Sequence, residues 1–116
     1  MPHPVVHFEI LGRDQKLLEE FYKAVFNWEI EPVEDWYSLV KPGSGIGGGI
    51  GARKQHTGHV TFYVAVADIV AALALVESKG GKTAFGPQPI PDGGIVAGFT
   101  DPEGHLIGLV QGPAGM

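Results

Sequence analysis

The 116-residue sequence contains no cysteine, which excludes disulfide bonds, a thiolate nucleophile and thiolate metal ligands. Basic residues are few, since 8 Lys and Arg stand against 13 Asp and Glu, for a net charge of −5. Because phosphate backbones are bound through basic patches, this balance argues against a nucleic acid partner. No apolar run approaches the ~18 residues needed to span a bilayer, so no membrane role is expected.

The amino-terminal residues lack the basic flank and long apolar stretch of a secretory signal, and a cytoplasmic location is the resulting expectation. Hydrophobic residues at 44% and charged residues at 18% are typical of a globular protein, and the length suits one domain. Glycine, in contrast, is frequent at 18 residues. That abundance indicates tight turns or places where backbone must be approached closely.

The chain contains an internal repeat. The segment Val-Val-His-Phe-Glu-Ile-Leu at positions 5–11 is followed by Asp14 and a helical pattern of apolar residues. The segment Val-Thr-Phe-Tyr-Val-Ala-Val at positions 60–66 is followed by Asp68 and a second helical pattern. The two copies are offset by close to half the chain, and an aspartate suits the first position of each helix because its carboxylate accepts hydrogen bonds from free N–H groups.

Each copy predicts a strand, a helix and three further strands. We therefore expect module one at about 4–53, a linker at 54–58 and module two at about 59–112, within a single domain covering 1–116. A strand is predicted at 82–85, and three prolines between 86 and 94 are expected to end it. Proline is found mainly at sheet edges and in loops. The stretch 86–94 is interpreted either as a mobile lid or as a stiff loop.

Four stretches carry a family resemblance: Val-Val-His-Phe-Glu-Ile at 5–10, Phe-Tyr-Lys-Ala-Val-Phe-Asn-Trp at 21–28, Gly-Ile-Gly-Gly-Gly-Ile at 45–50, and Phe-Thr-Asp-Pro-Glu-Gly-His-Leu-Ile-Gly-Leu at 99–109. With the repeat, they resemble the vicinal oxygen chelate superfamily, which includes glyoxalase I, bleomycin-resistance proteins, extradiol dioxygenases and methylmalonyl-CoA epimerase. The resemblance implies an α+β fold of two tandem βαβββ modules forming a cupped mixed sheet. It also implies an enclosed cavity for a small organic ligand, and a homodimer.

The resemblance also implies a divalent metal, held in the family's enzymes by one residue from the first and one from the last strand of each module. The first-strand positions fall on His7 and Thr61, of which only the histidine is a good ligand. The last-strand positions fall within Gly47 to Gly49 and on or next to Gly108, where glycine offers no side chain. His7 is thus the only retained ligand position, and the expectation is that the family's metal is absent.

His7 and Glu9 are the candidate catalytic residues, because residues two apart on a strand face the same side. Thr61 and Tyr63 occupy the equivalent face of module two, so the four would line one cavity if the modules pack as in the family. A histidine beside a carboxylate can perform general acid–base chemistry near neutral pH. The alternative is that His7 and Glu9 hydrogen-bond each other in a wet groove and bind a polar ligand without chemistry.

Further cavity-lining candidates are Gly48, Gly108, Trp36 and Tyr37. A strand without side chains leaves room for a ligand or lets a partner subunit approach, but it could equally be a weakly paired edge. Trp36 and Tyr37 could stack on an aromatic ligand, although neighbours on a strand point to opposite faces and only one of them can line the cavity. A dinucleotide-type glycine pattern at 43–48 lacks the helix that should follow it.

Three functions are compatible with these residues. The first is an enzyme related to lactoylglutathione lyase that acts by proton transfer, with His7 or Glu9 as the base. The second is a non-catalytic protein of the bleomycin-resistance type that sequesters a drug or metabolite. The third is a rebuilt metal site of two histidines and one carboxylate, formed by His7, Glu9 and a residue such as His59. His59 is otherwise interpreted as a strand-end histidine near solvent.

Overall fold

The computed structural model describes residues 2–52 and 58–112. Within them the chain runs strand, helix, strand, strand, strand, and then repeats that order. The helices are α1 (Gln15–Phe26) and α2 (Ile69–Ser78), and the strands are β1 (Val5–Gly12), β2 (Glu29–Glu34), β3 (Tyr37–Lys41), β4 (Gly47–Ala52), β5 (His59–Ala65), β6 (Lys82–Pro89), β7 (Ile95–Thr100) and β8 (Leu106–Gln111). The expected α+β class of two tandem βαβββ modules is confirmed.

One compact unit comprises the described residues within His7–Thr61. Its strands are ordered β2-β3-β4-β1, with β4 parallel to β1 and antiparallel to β3, so the sheet is mixed. The glycine-rich strand is therefore paired on both sides, with Gly49 opposite Glu9 on β1 and opposite Leu39 on β3. The alternative of a weakly paired edge for this strand is wrong, because the antiparallel partner β3 covers its outer side.

Helix α1 has a defined beginning and end. The Asp14 carboxylate accepts a hydrogen bond from the Leu17 N–H at 3.0 Å, as expected of an N-cap. At the other end Asn27 adopts a left-handed conformation with φ 59°, and its N–H donates to the Lys23 carbonyl at 2.8 Å. The predicted capping aspartate is confirmed.

A buried polar cluster fastens α1 to β3. Ser38 is fully buried, and its hydroxyl donates to Glu19 Oε2 at 2.7 Å. Gln15 Nε2 donates to the same oxygen at 2.8 Å and approaches Ser38 Oγ at 3.1 Å. Because each of these polar groups has partners, the cluster holds the helix on the sheet at the strand that carries Tyr37.

Aromatic rings fill the space at the carboxyl end of α1. The Trp28 ring centroid lies 5.4 Å from that of Phe8, 5.6 Å from that of Tyr22 and 5.2 Å from that of Phe26. Such spacings are typical of favourable ring packing. Trp28 therefore packs against the carboxyl end of the first helix.

The other compact unit comprises the described parts of Met1–Val6 and Phe62–Met116, with strands ordered β5-β8-β7-β6. Asp68 caps α2 by accepting from the Ala71 N–H at 3.1 Å. The buried apolar cluster lies between α2 and the sheet and consists of Ile69, Leu73, Ala97 and Leu109.

Three sequence expectations need comment. Strand β6 continues to Pro89, with register shifts around Phe85 and Gln88, because an edge strand tolerates prolines on its unpaired side. The interruption expected at 86–94 is therefore reduced to the turn after Pro89. Residues 54–57 of the expected linker lie outside the described residues, and the single domain stays a prediction. In the described part of the chain, no helix has the length and apolar character to cross a membrane.

Candidate functional site

One face of the sheet in the His7–Thr61 unit carries the candidate catalytic residues. The parallel register places Gly47 opposite His7, Gly49 opposite Glu9 and Gly51 opposite Leu11. Cross-strand partners point to the same side of a sheet, so the glycines at alternate positions of β4 all lie on the face of His7 and Glu9. On this face, β4 consequently presents backbone atoms and no side chains at positions 47, 49 and 51.

The side chains of His7 and Tyr37 contact each other over this face of β4. His7 Nε2 lies 2.8 Å from Tyr37 Oη, although β4 separates their strands. Burial lowers the pKa of His7, because the charged imidazolium is poorly solvated there, so the imidazole is neutral at pH 7. A neutral imidazole contains one N–H donor, and a phenol contains one O–H donor. The pair is therefore uncharged and contains hydrogen-bond donors.

Glycine at position 49 is required by the position of Tyr37. A Cβ atom on Gly49 would overlap the Tyr37 hydroxyl and ring, and one on Gly51 would lie 2.9 Å from Tyr37 Cδ1 and from Leu11 Cδ2. Any side chain at these two positions would thus displace the tyrosine. The abundance of glycine in β4 permits an aromatic ring to lie flat over the strand.

Glu9 and His59 form a second contact on the same face of β1. Glu9 is 9% exposed, and its Oε1 lies 3.7 Å from His59 Nε2. His59 is the first residue of β5, so its sequence interpretation as a strand-end histidine is confirmed. Its side chain is only 24% exposed, because the start of β5 places it beside the carboxylate.

Trp36 joins the site through its neighbour. Its ring centroid lies 4.9 Å from that of Tyr37 at an interplanar angle of 49°. The expectation that only one of the two rings can line the cavity assumed that both residues lie on a strand, whereas Trp36 lies in the turn before β3. With Trp36 about one third exposed, the two rings form an accessible aromatic pair.

The remaining sequence candidates are placed as follows. Gly48 lies on the face of β4 opposite to that of His7, where a Cβ would meet the Phe8 ring. Its assignment as a cavity-lining residue is therefore wrong, because a shift of one residue along a strand changes the face. Thr61 is buried in the same unit as His7. Gly108 pairs with Tyr63 in the other unit, and the Tyr63 ring covers it.

The residues present do not fit the metal that the family resemblance implies. The His7 imidazole bonds Tyr37, the tyrosine occupies the space above Gly49, and Gly108 lies beneath Tyr63. Within residues 2–52 and 58–112, no group of three or more His, Asp or Glu side chains could hold a metal ion. Accordingly, the rebuilt metal centre of His7, Glu9 and His59 has no support in the described residues.

Sequence reasoning grouped Glu9 and His59 only as hypothetical metal ligands, and it missed their direct pairing and the role of Gly49. A signal for the glycine was present, since positions 45, 47, 49 and 51 are all glycine while positions 46 and 50 are isoleucine. That alternation indicates one bare face and one packed face of a strand. No sequence signal indicates that His59 lies beside Glu9, because the contact joins two strands distant in the chain.

The chain was compared with known proteins. A family model described as the Glyoxalase/Bleomycin resistance protein/Dioxygenase superfamily matches residues 5–109. No curated protein sequence gives a significant match.

Similar solved structures include a methylmalonyl-CoA epimerase in complex with methylmalonyl-CoA and NH4+, with a TM-score of 0.72 at 18% identity, covering 98% of this chain and 97% of that one. A Streptomyces coelicolor methylmalonyl-CoA epimerase variant in complex with 2-nitronate-propionyl-CoA gives 0.69 at 19% identity, covering 95% and 97%. A hypothetical protein from Bacillus halodurans gives 0.76 at 13% identity, covering 100% and 99%. At these identities the structures show a shared fold, and with the family match they establish that the chain belongs to the Glyoxalase/Bleomycin resistance protein/Dioxygenase superfamily.

Proposed function

We propose that the protein binds a small organic compound with a carbonyl group and transfers a proton at the carbon next to that carbonyl. The observation that carries the proposal is the buried Glu9 carboxylate, paired with His59, on the same face as the neutral His7–Tyr37 pair. Proton abstraction beside a carbonyl needs a base for the C–H hydrogen and donors for the oxygen on which charge develops. This site offers both kinds of group.

The proposed reaction conserves atoms and electrons. The Glu9 carboxylate removes the proton, the C–H electron pair forms a carbon–carbon double bond, and the carbonyl π electrons move to oxygen. The His7–Tyr37 pair donates a hydrogen bond to that oxygen. Reversal of the electron movement returns the proton from Glu9 to carbon. His59, 3.7 Å from Glu9, can take up the proton in the interval and exchange it with solvent.

The structural relatives support a first choice of compounds. Two of them are epimerases crystallised with methylmalonyl-CoA or 2-nitronate-propionyl-CoA, and epimerisation of methylmalonyl-CoA is a proton transfer beside a carbonyl. The lactoylglutathione lyase reaction expected from the sequence belongs to the same class of chemistry. We therefore propose acyl thioesters and thiohemiacetals of 2-oxoaldehydes as the first compounds to test.

The test is exchange of the α-hydrogen of a candidate substrate in D2O, which is monitored as loss of the proton NMR signal of that hydrogen. The candidate substrates are methylmalonyl-CoA, a methylglyoxal–glutathione mixture and 2-oxo acids. We expect the native protein to accelerate exchange in at least one compound, and Glu9→Gln to slow it by about 100-fold or more. Glu34→Gln is the matched control, because it makes the same substitution at an exposed position of the same unit and should leave exchange unchanged. Absence of exchange in every compound would refute the proposal.

Sequestration without catalysis is the second candidate, and the Trp36–Tyr37 ring pair beside His7 favours it. A planar aromatic compound could stack on the accessible Trp36 ring. The corresponding measurement is a thermal shift with a panel of aromatic drugs, because a ligand of the folded state raises its stability as RT ln(1 + [L]/Kd). A compound that raises the melting temperature of the native protein but not of Trp36→Ala, and that undergoes no exchange, would favour this function.

The homodimer expected from the resemblance is retained as a proposal, and the outer face of α1 supports it. Leu17, Phe21 and Val25 recur every fourth residue, and each side chain is more than half exposed. A second copy of the chain could cover this apolar stripe by packing its own α1 against it. Sedimentation should show a dimer for the native protein and a monomer for Phe21→Glu. The cytoplasmic location stays a prediction.

A further inference from the structure

We propose that the Tyr37 hydroxyl occupies the position that a side chain at residue 49 of β4 would take. As a consequence, the His7–Tyr37 pair binds a carbonyl or carboxylate oxygen of the ligand in place of a metal ion. The metal-excluding part depends only on the packing of Tyr37 over Gly49. The ligand-binding part rests on the proposed function and is tested separately below.

The first step of the inference is steric. The volume that a Cβ on Gly49 would occupy contains the Tyr37 hydroxyl. A metal ligand contributed by this position of β4 would therefore require Tyr37 to leave the site. Tyr37 can lie in this position only because residue 49 is a glycine and has no side chain.

The second step concerns the lone pairs of His7. A metal-bound imidazole nitrogen lies about 2.0–2.1 Å from the ion, with its lone pair directed at it. Here Nε2 of His7 faces the Tyr37 oxygen at 2.8 Å, a hydrogen-bond distance. Coordination through Nε2 would break this bond, so the tyrosine competes directly with a metal for the one retained ligand position.

The third step identifies what the pair recognises. Glu9 is the cross-strand partner of Gly49, so the Tyr37 hydroxyl over Gly49 and the Glu9 side chain lie on neighbouring strands of one face. Neighbouring strands are about 4.8 Å apart, so a carbonyl group and the C–H group beside it fit between side chains on the two strands. An oxygen bound by the pair would therefore present its adjacent carbon to Glu9.

The decisive experiment measures metal binding, which needs no substrate. Tag-free native protein is titrated with Zn2+, Ni2+, Co2+ and Mn2+, with melting temperature and bound metal as readouts. We expect no stabilisation and no stoichiometric metal. The double variant Tyr37→Ala with Gly49→Glu should bind one ion, because it removes the ring and adds a carboxylate beside His7 and Glu9. Tyr37→Ala alone is the matched control, and it opens the space without adding a ligand.

Stoichiometric metal in the native protein that disappears in His7→Ala would overturn the inference. Metal retained equally by His7→Ala would lie elsewhere and would agree with it. Should the double variant fail to fold, the native and His7→Ala titrations still decide.

The ligand-binding part is tested with Tyr37→Phe, which keeps the ring over Gly49 and removes only the hydroxyl. We expect the His7 Nε2 resonance to shift, and the affinity for pyruvate, as a probe oxygen ligand, to fall about 10-fold. Unchanged pyruvate affinity in Tyr37→Phe would overturn this part. If no α-hydrogen exchange is found while the metal and Tyr37→Phe results hold, the proposed function fails and the inference stands.

Discussion

The side chain of Tyr37 reaches His7 across an intervening strand, with 2.8 Å between Oη and Nε2. Strands β1 and β3 flank β4 and are therefore about 10 Å apart, twice the usual interstrand distance. A contact over that gap is possible only where the middle strand has no side chains on the shared face. Gly49 meets this requirement, and the arrangement explains why a glycine stands at the centre of the candidate site.

The first prediction concerns Gly49→Ala. The new methyl group overlaps Tyr37, and we expect a loss of about 1–3 kcal/mol in the free energy of unfolding, the usual range for overpacking. In a Tyr37→Ala background the same change should cost much less, because the overlapping ring is gone. Urea unfolding of the four proteins gives the coupling energy directly. An equal cost in both backgrounds would show that Tyr37 does not lie over Gly49.

The second prediction is a pH dependence of stability caused by His7. Its pKa is lowered in the folded protein by burial, whereas the unfolded chain has the ordinary value of about 6.5. As the pH falls below about 6.5 the unfolded state binds a proton that the folded state does not, so stability decreases with acidification. Above that pH the histidine is neutral in both states and contributes no slope.

The corresponding measurement is the free energy of unfolding between pH 5 and 8, an interval chosen around the ordinary histidine pKa of about 6.5. The native curve should fall on the acid side, and the curve of His7→Gln should fall less. The difference between the curves isolates His7 from the other titrating groups. Parallel curves would contradict the buried, neutral state of this histidine.

The third prediction concerns the buried polar cluster beneath α1. Ser38→Ala removes the donor to Glu19 and one contact of Gln15, and we expect it to cost about 1 kcal/mol, the usual net contribution of a hydrogen bond. Ser78→Ala is the matched control, since that hydroxyl donates to the Leu75 carbonyl at an exposed position. Chemical denaturation should show a clearly larger loss for Ser38→Ala than for the control.

The fourth prediction uses the internal repeat. Asp14 and Asp68 cap the two helices in the same way, at 3.0 Å and 3.1 Å from the amide nitrogens they bind. Each change to alanine should cost about 1 kcal/mol, and each change to serine much less, because serine retains a capping oxygen. Thermal unfolding of the two pairs of variants measures the difference. An alanine variant as stable as its serine counterpart would show that the cap does not contribute.

Local patterns predicted most of the fold. The capping aspartates, the helical spacing of apolar residues and the alternation in the strands depend on neighbours within a few positions, and they placed every helix and most strands correctly. The strand at the three prolines was the exception, because its continuation depends on lying at the edge of a sheet. An edge position is decided by which strands pair, and no local pattern records it.

The candidate site was predictable only in part. His7 and Glu9 share a face because of the two-residue strand period, and that period is visible in the chain. Gly48 was assigned to the wrong face because strand register depends on pairing: His7 lies opposite Gly47, which puts Gly49 and not Gly48 beside Glu9. A shift of one residue in register exchanges the two faces of a strand.

The sequence by itself determined the two-module organisation, the capped helices and the placement of the His7 and Glu9 pair on one face of the first strand. Only the tertiary structure decided the partners of that pair, since Tyr37 reaches His7 over β4 and His59 reaches Glu9 from β5. The physical reason is that periodicity sets the direction in which a side chain points. The side chain that it meets there is set by strand order, register and the space left by glycine.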